Sequence, residues 1–396
     1  MSRLADFVKY NKVVYTIYYY VGSLLVNMLK LFVRSDRNVI LFVSFGGKRF
    51  DDSPRTIYEA MLSDHRFDQC RLIWAFRSPE RHQLTRGEKV KIDTPRYFIT
   101  LMKAGIWITN SSMTRGLYVR GSNTFSINTW HGTPIKRIEH EAKNAGNFLS
   151  KKTIHDDVRL CQGTYERDIF LRVFRSSMED YHLIGLPCND RLTSPCDQEE
   201  KKRIRERLGI PMDKKVILYA PTFKDDERDD NGTIKAQLHI SPQKWEYFLG
   251  DRYVMLLRLH HEITAANPLP PNQFIIDVTA YPDINDLILV SDLLISDYSS
   301  IFFDFAITGK PMLCYTYDYD QFENVRGLYF DIREELEMKG RCDTEEQVIH
   351  EIQTMDYEKR SAITRRFLQK YVQAYGSATP QTLNVISQFM FGRLVV

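Results

Sequence analysis

Short apolar runs alternate with longer amphipathic stretches along most of the chain after Arg37. In the first half, four runs have the length and composition of buried strands: Val39–Phe45, Arg71–Phe76, Ile106–Thr109 and Phe125–Asn128. The segment 53–62 between the first two runs predicts a helix, with Ser53 as its N-cap, Pro54 at its first position and apolar residues at helical spacing. This alternation predicts a parallel sheet flanked by helices.

The alternation breaks near residues 186–212 and then restarts. Residues 197–208 are highly charged and are followed by Gly209 and Pro211, which is the order typical of a helix end. Five more strands are predicted after this segment, at Val216–Ala220, Tyr253–Leu259, Phe274–Ile276, Leu293–Ser296 and Pro311–Tyr315. Two successive α/β segments predict two doubly wound domains that face a cleft, with ligands beyond the carboxyl ends of the strands.

The first 37 residues differ from the rest because they are basic and aromatic. They carry six Lys or Arg and two Asp side chains, so they are more positive than the whole chain, whose net charge is +3. The uncharged stretch Val13–Leu29 is shorter than the ~20 apolar residues of a spanning helix, and Tyr18–Tyr20 suit the headgroup level of a bilayer. We therefore expect 1–37 to be a membrane-associating helical segment attracted to anionic lipid. The alternative is a tyrosine-rich helix that packs on the protein's own surface.

Composition limits the function classes. A chain of 396 residues, 43% hydrophobic and 27% charged, is typical of a globular protein with two domains. A net charge of +3 is too small for a typical nucleic-acid binder. The six cysteines include no Cys-x-x-Cys pair, which favours reduced thiols in a cytosol-facing protein over a zinc or redox motif. No small-residue cleavage site follows the first apolar stretch, so a secretory signal is not expected.

The most informative motif is Trp-His-Gly-Thr-Pro-Ile-Lys at residues 130–136, directly after a predicted strand. Its glycine allows close backbone approach and its proline stiffens the turn. His131 held near Lys136 is suited to acid–base chemistry on an anionic substrate. The alternative is a loop histidine with a structural role.

Two further candidate groups follow strands in the second half. The turn 220–224 contains Thr222 and Lys224, which could meet a phosphate or belong to a plain exposed turn. After the next strand, alternation places Arg258 and His260 on one face and His261 on the other, which favours an anion site. A satisfied structural histidine is the alternative at His260.

The last candidate group is the turn 296–304, where an apolar strand leads into an apolar helix. Ser299 and Ser300 fall at the start of that helix, whose N–H groups and dipole can cradle an anion, and Asp297 could cap it. The alternative is that all three residues only cap the helix. The candidate set lacks a metal-ligand pattern, a dinucleotide fingerprint and a Walker loop, so a metal-independent transfer of a phosphate-containing group fits best.

Several blocks together resemble one family. The chain resembles the CDP-glycerol glycerophosphotransferases that build wall teichoic acid and related polyol-phosphate polymers. The blocks are SFGGKRFDDSPRTIYEAM (44–61), TWHGTPIK (129–136), GLPCNDRL (185–192), ILYAPTFK (217–224), LRLHHEI (257–263), SDYSSIFFDFA (296–306), GKP (309–311) and RGLYFD (326–331). WHGTPIK and SDYSSIFFDF are specific, whereas YAPTF and GKP are weaker because other two-domain nucleotide-diphosphate transferases use similar turns.

The resemblance implies a GT-B-like fold of two Rossmann-like domains around a cleft. Residues 38–192 would receive a lipid-linked saccharide acceptor, and residues 193–396 would hold CDP-glycerol, with the last helices packing back on the first domain. It also implies a peripheral protein on the cytoplasmic face of a bacterial cell membrane, with no cofactor, no bound metal and no nucleic-acid partner.

The resemblance further implies a role for each site residue. An acceptor hydroxyl would attack the phosphorus that bears glycerol, and CMP would leave. His131 would be the base, and His260 with Arg258 would stabilise the departing CMP. Ser299, Ser300, Asp297, Thr222, Lys136 and Arg326 would bind phosphate or support its turn.

Departures from the family pattern leave some questions open. Cys188 stands where arginine is expected, and His261 has no assigned role. The chain is expected to be the single-module form. A CDP-ribitol-dependent transferase and a catalytically silent membrane scaffold remain alternatives. The sequence does not separate a primase from an extender or a polymerase.

Overall fold

The computed structural model describes residues 11–119, 124–144, 156–193, 198–222, 238–259 and 273–392. Lys224, His260 and His261 lie outside these residues. Within them, two separate parallel sheets carry helices, so the predicted α/β class is confirmed.

The amino-terminal sheet has seven parallel strands in the order β3-β2-β1-β4-β5-β6-β7. They are β1 (Asp36–Val43), β2 (Arg71–Phe76), β3 (Glu88–Lys91), β4 (Ala104–Thr109), β5 (Phe125–Asn128), β6 (Val158–Cys161) and β7 (Tyr181–Leu183). The predicted bounds of β2 and β5 match those observed, whereas β3, β6 and β7 were not predicted. These three strands have only three or four residues, and β3 has a single buried side chain, Val90. Their apolar pattern is therefore too short to recognise.

Among the described residues of this half, the α-helices are α1 (Lys12–Met28), α2 (Asp52–Leu62), α3 (Pro95–Lys103) and α4 (Thr164–Phe174). The predicted start of α2 is wrong, because the N-cap is Asp51, whose carboxylate accepts a hydrogen bond from the Asp52 N–H. Ser53 is instead fully buried, and its hydroxyl contacts the Cys188 thiol at 3.2 Å.

The carboxyl-terminal sheet has five parallel strands in the order β10-β9-β8-β11-β12. They are β8 (Lys215–Tyr219), β9 (Tyr253–Leu257), β10 (Ile275–Asp277), β11 (Leu293–Ser296) and β12 (Met312–Cys314). All five lie within a residue or two of the predicted runs.

Helices surround this second sheet. They are α5 (Gln198–Leu208), α6 (Pro242–Leu249), α7 (Ile284–Val290), α8 (Ile301–Ala306), α9 (Tyr319–Val325), α10 (Ile332–Glu335), α11 (Glu345–Gln353) and α12 (Tyr357–Tyr371). The last helix, α13 (Ala378–Phe391), follows them in the chain. α5 ends at Gly209, which has φ +67, as its sequence predicted.

Each sheet reverses its strand order beside its first strand. The reversals lie between β1 and β4 and between β8 and β11. In open α/β sheets this switch point leaves a crevice at the carboxyl ends of the strands, where ligands bind. The loops at 44–51, 110–111, 220–222 and 297–300 therefore lie at the two crevices.

The last helix returns to the amino-terminal half. Leu383, Ile386 and Met390 of α13 belong to the same hydrophobic cluster as β1, β2 and α2. Phe389 stacks on Phe125 of β5 with ring centroids 4.4 Å apart. The first half therefore completes its core with the end of the chain.

One face of α1 packs against the amino-terminal half. The Tyr18 hydroxyl donates to the Arg115 carbonyl at 2.9 Å, and the Asn27 amide donates to the Tyr118 carbonyl at 2.7 Å. Val26 is buried in the cluster that contains β1 and α3. Among the described residues, no helix has both the length and the apolarity to cross a bilayer.

The opposite face of α1 and the turn after it expose large apolar side chains. The exposed side chains are Val13, Ile17, Tyr20, Val21, Leu24, Leu25, Met28, Leu31 and Phe32. The helix therefore packs on the protein, as the alternative interpretation predicted, and also presents an apolar surface. We call these nine residues the α1 face.

We expect Ile386→Ala to lower the free energy of unfolding by about 2–5 kcal/mol, because it removes a fully buried side chain from the core that α13 completes. Gln388→Ala on the exposed side of the same helix is the matched control. Urea denaturation followed by circular dichroism measures both. Equal stability of the two variants would mean that α13 does not stabilise the first half.

Candidate active site

A cavity of about 1070 Å³ opens where the two halves meet. Its wall includes residues of the loops after β1, β8 and β11, together with the loop that follows β5. Six of the described candidate residues line it: His131, Lys136, Thr222, Arg258, Ser299 and Ser300. These six residues, which are separated by up to 169 positions in the chain, thus share one cavity.

His131 is held in one orientation by the amino-terminal half. Its Nδ1 lies 2.6 Å from the carbonyl oxygen of Asn110, which follows β4. Because a carbonyl only accepts, this nitrogen carries the hydrogen, and in the neutral ring Nε2 then holds the lone pair. The ring stacks on Trp130 at 4.4 Å, and its edge approaches Phe45 at 5.7 Å. The side chain itself is exposed to the cavity.

Trp130 is fixed beneath His131 by its backbone and by buried neighbours. Its φ of +51 is unusual for a bulky residue, and its N–H donates to the side chain of Asn128 at 2.9 Å. Its ring meets those of Phe170 and Phe174 at steep angles. The guanidinium of Arg159 also lies over the Trp130 ring, 5.9 Å from its centroid. This packing fixes the plane on which the imidazole rests.

The loop that carries His131 touches the start of α8 in the other half. A Cβ added to Gly132 would lie 2.5 Å from the Ser300 hydroxyl oxygen and 2.8 Å from its Cβ. Gly132 also has φ +130, which side-chain-bearing residues rarely adopt. Only glycine therefore permits this approach, which brings His131 to the serine pair.

The N-cap residue of α8 is Ser300 and not Asp297, so the capping expectation is wrong as to the residue, whereas Asp297 does order the turn. Its carboxylate accepts from the N–H of Thr222 at 2.8 Å and of Tyr298 at 2.6 Å. It is 2% exposed and joins the loops after β8 and β11 across the switch point. The buried hydroxyl oxygen of Thr222 has no hydrogen-bond partner among the described residues.

The serine pair is at the N-terminus of α8, as its sequence predicted. Ser300 is the N-cap residue, but its hydroxyl makes no capping hydrogen bond. The Ser299 hydroxyl accepts from the Ile301 N–H at 3.4 Å. The Ser300 hydroxyl is therefore not committed to the helix and lines the cavity.

Arg258 is partly buried in the opposite wall. Its Nη1 donates to the Tyr281 carbonyl at 2.7 Å, and its backbone N–H donates to the Tyr219 carbonyl at 2.9 Å. Burial, together with the nearby Arg49 guanidinium, lowers the pKa of Arg258 from its usual value. The side chain is thus fixed at the end of β9, in an environment that disfavours its own charge.

Lys136 and Arg326 occupy different places. Lys136 lines the cavity and pairs with Leu328 through an isolated antiparallel bridge. Arg326 is not in the cavity wall. Its Nε donates to the Arg137 carbonyl at 3.1 Å, and its Nη1 lies 3.4 Å from the Asn144 side-chain oxygen. The structure therefore places Arg326 in the contact between the halves, outside the cavity wall.

A chain of buried polar groups lies behind the His131 loop. The Gln162 amide donates to the Thr133 hydroxyl at 3.0 Å, and the Asn189 amide donates to Asp304 at 2.6 Å and lies 3.3 Å from the Gln162 oxygen. Burial and, to a smaller extent, the nearby Asp52 raise the pKa of Asp304 to about 7. Burial also raises the pKa of Glu166, which accepts from the Gln162 N–H, to about 8.

Sequence reasoning gave no role to several charged residues of the cavity wall, and three of them are Arg49, Asp51 and Asp304. All three occur in the blocks 44–61 and 296–306, which carry the family resemblance. The blocks could therefore have indicated these residues, although no role was assigned to them. Burial and, to a smaller extent, the charges of Asp52 and Asp283 raise the pKa of Asp51 to about 6.

Cys188 takes part in packing between the two halves. Its N–H donates to the Ser53 hydroxyl at 3.3 Å, and its carbonyl accepts from the Asn285 amide. Burial raises the pKa of its thiol well above the usual value, so the thiol stays neutral. Among the described residues, no group of three His, Cys, Asp or Glu side chains is arranged to hold a metal ion.

Comparisons with known proteins agree on one family. The family described as CDP-glycerol:poly(glycerophosphate) glycerophosphotransferase matches residues 25–381. A teichoic acid poly(glycerol phosphate) polymerase of Staphylococcus epidermidis is 37% identical over 312 residues, which are 75% of this chain and 43% of that protein. A teichoic acid glycerol-phosphate transferase of Staphylococcus aureus is 34% identical over 315 residues, 76% of this chain and 80% of that protein. The chain thus spans less than half of the polymerase.

A solved structure shares the fold. A variant of the wall teichoic acid polymerase TagF, soaked with CDPG, is 30% identical, covers 92% of both chains and has a TM-score of 0.81. The arrangement of two α/β halves around a cleft is therefore of the GT-B type.

The raised pKa of Asp304 predicts a pH dependence of stability. Between pH about 4 and about 7 the folded state keeps this carboxyl protonated while the unfolded state ionises it, so stability decreases as the pH rises through that window. Asp304→Asn should make this loss of unfolding free energy smaller by roughly 1–3 kcal/mol. Glu166 still titrates in the variant, so its unfolding free energy still depends on pH.

Urea denaturation at pH 4.5 and pH 7.5, chosen at about the edges of that window, measures this difference. The matched control is Asp213→Asn, an exposed residue. If the unfolding free energy changes equally between the two pH values in both variants, Asp304 is ionised in the folded protein across the window.

Proposed function

Because the chain belongs to the CDP-glycerol:poly(glycerophosphate) glycerophosphotransferase family, we propose that it transfers glycerol phosphate from CDP-glycerol to a hydroxyl of a lipid-linked acceptor. CMP is the leaving group. The product is an extended polyol-phosphate chain of wall teichoic acid or a related polymer. The teichoic acid enzymes among its relatives and the TagF structure soaked with CDPG support this assignment.

The observation that carries the proposal is the contact between Gly132 and Ser300. It puts a histidine with an available ring nitrogen beside hydroxyl groups at a helix start, in a cavity that Arg258 also lines. A base next to an anion-binding wall is what phosphoryl transfer to an alcohol requires.

His131 acts as the general base. Its Nε2 takes the proton of the acceptor hydroxyl as the hydroxyl oxygen bonds to the phosphorus that bears glycerol. The bond from this phosphorus to the CMP oxygen breaks in the same displacement, and CMP leaves with the electron pair. The carbonyl oxygen of Asn110 accepts a hydrogen bond from the Nδ1–H of His131, and this bond keeps the lone pair on Nε2.

The second half stabilises the phosphates. Arg258 supplies a fixed guanidinium, and Ser299 and Ser300 supply hydroxyls at the α8 start. Thr222 offers its unpartnered hydroxyl, and Asp297 orders the turn that holds it. His260 is proposed to act with Arg258, and Lys136 to reach a phosphate from the cavity wall.

The protein works on the cytoplasmic face of the membrane, with the α1 face against anionic lipid. Leu31 and Phe32 are 78% and 82% exposed, and Leu24 is 63% exposed on the same surface. Arg34, two positions after Phe32 in the chain, is also exposed and is suited to contact acidic headgroups. An amphipathic helix with basic flanks lies in the bilayer interface without spanning it.

We expect His131→Ala to fold normally and to lose CMP release from CDP-glycerol plus lipid acceptor by at least ~100-fold, because the base is gone. His140→Ala, an exposed histidine outside the cavity wall, is the control and should remain near wild type. Turnover within a few-fold of wild type in His131→Ala would remove His131 from the chemistry.

The double variant Leu24→Glu with Phe32→Glu should bind liposomes of anionic lipid roughly tenfold less than wild type or weaker, because two apolar side chains no longer enter the interface. Tyr247→Glu, on a residue that is 82% exposed on α6, is the control. Sedimentation with liposomes at low and high salt measures binding. Equal sedimentation of both variants would place the membrane contact elsewhere.

A further inference from the structure

The loop between β1 and α2 forms a wall of the cavity for which the proposed mechanism gives no role. The Phe45 N–H donates to the Asn110 side chain at 2.8 Å, and the Gly46 N–H donates to the Ser111 hydroxyl at 3.0 Å. Phe50 packs edge-on against Trp74 at 4.8 Å. The loop is therefore tied to β4 at one end and anchored in the hydrophobic core at the other.

Arg49 precedes the Phe50 anchor and lines the cavity. Its guanidinium carbon lies 5.3 Å from the centroid of the Phe45 ring, and that ring lies 5.7 Å from the His131 ring. Arg49 is thus directed to the part of the wall where the proposed base is located. Among the described residues, no carboxylate forms an ion pair with it.

Arg49 and Arg258 face the same space from opposite halves of the protein. The positive charge of Arg49 disfavours the charged form of Arg258, while Asp51 and Asp283 act in the opposite direction. Two like charges that line the same cavity cost free energy unless an anion lies near both. Arginine is suited to that role because its planar guanidinium can bind phosphate oxygens in pairs.

We propose that Arg49 and Arg258 together bind the diphosphate of the nucleotide donor, so that the amino-terminal half contacts the donor as well as the acceptor. This inference rests on the proposed function and adds a substrate contact from the first half. The diphosphate bridges the two guanidinium groups and draws the halves together. Donor binding then also positions the loop of Phe45, which contacts His131.

A phosphate of the lipid-linked acceptor has the same chemistry. The donor is favoured because Arg258, at the end of β9 in the carboxyl-terminal half, shares the site with Arg49. Binding measurements without any acceptor separate the two sources.

The test is isothermal titration calorimetry of CDP and of CMP with the full chain and no acceptor. We expect Arg49→Gln to weaken CDP binding by about 10- to 100-fold, the usual effect of losing a charged hydrogen bond. CMP binding should weaken less, because CMP lacks the second phosphate. Arg49→Lys keeps the charge and should recover part of the loss.

The control is Lys48→Gln, which removes the same charge from the neighbouring exposed residue outside the cavity wall. It should leave CDP binding within about twofold of wild type, since screening weakens a distant exposed charge. Thermal denaturation checks that all variants are folded.

Equal CDP affinity in Arg49→Gln and Lys48→Gln would overturn the inference, and so would an equal loss of CDP and CMP binding. If wild type itself binds CDP but transfers nothing from CDP-glycerol, the proposed function fails and the Arg49 result still stands. The two failures are therefore distinguishable.

Discussion

The site depends on the close approach of Gly132 and Ser300. Because no Cβ fits between them, the loop after β5 can rest directly on the start of α8. This contact joins the two halves where His131 and the serine pair meet. The backbone of the same loop then continues along the other half, where the Arg137 N–H donates to the Gly327 carbonyl. The loop that carries His131 is thus held by both halves, although it belongs to one.

The two halves organise their crevices in the same way. In the first, Asn110 after β4 accepts from the N–H of Phe45 after β1. In the second, Asp297 after β11 accepts from the N–H of Thr222 after β8. In each, a buried side chain ties together the two loops that flank the strand-order reversal. These bonds satisfy backbone groups that would be costly to bury unpaired, and they fix the loops that carry the site.

The cavity wall carries charges of both signs. Arginines 49 and 258 repel each other, which favours an anionic ligand near both. Asp51 acts on Arg258 as well, Asp304 also lines the cavity, and burial raises the pKa values of these two carboxyls to about 6 and about 7. The wall therefore has groups that can bind phosphate and groups that can exchange protons near neutral pH.

The sequence determined the α/β class, most strands and most site residues. Apolar runs mark buried strands locally, and polar residues directly after such runs, His131 and Arg258 among them, must lie at strand ends in a parallel sheet. Strands such as β3, with one buried side chain, carry too little pattern to be recognised. Local patterns also led to wrong roles, as with Ser53 and Asp297, because capping depends on backbone geometry rather than on residue type.

Only the tertiary structure decided which residues meet. Arg49 and Arg258 are more than two hundred positions apart, and nothing in their local sequence indicates that they share a site. Arg326 looked like a phosphate partner in the sequence but lies in the contact between the halves. The physical reason is that periodicity records which face of an element is buried, whereas the meeting of two walls depends on how whole sheets and helices pack.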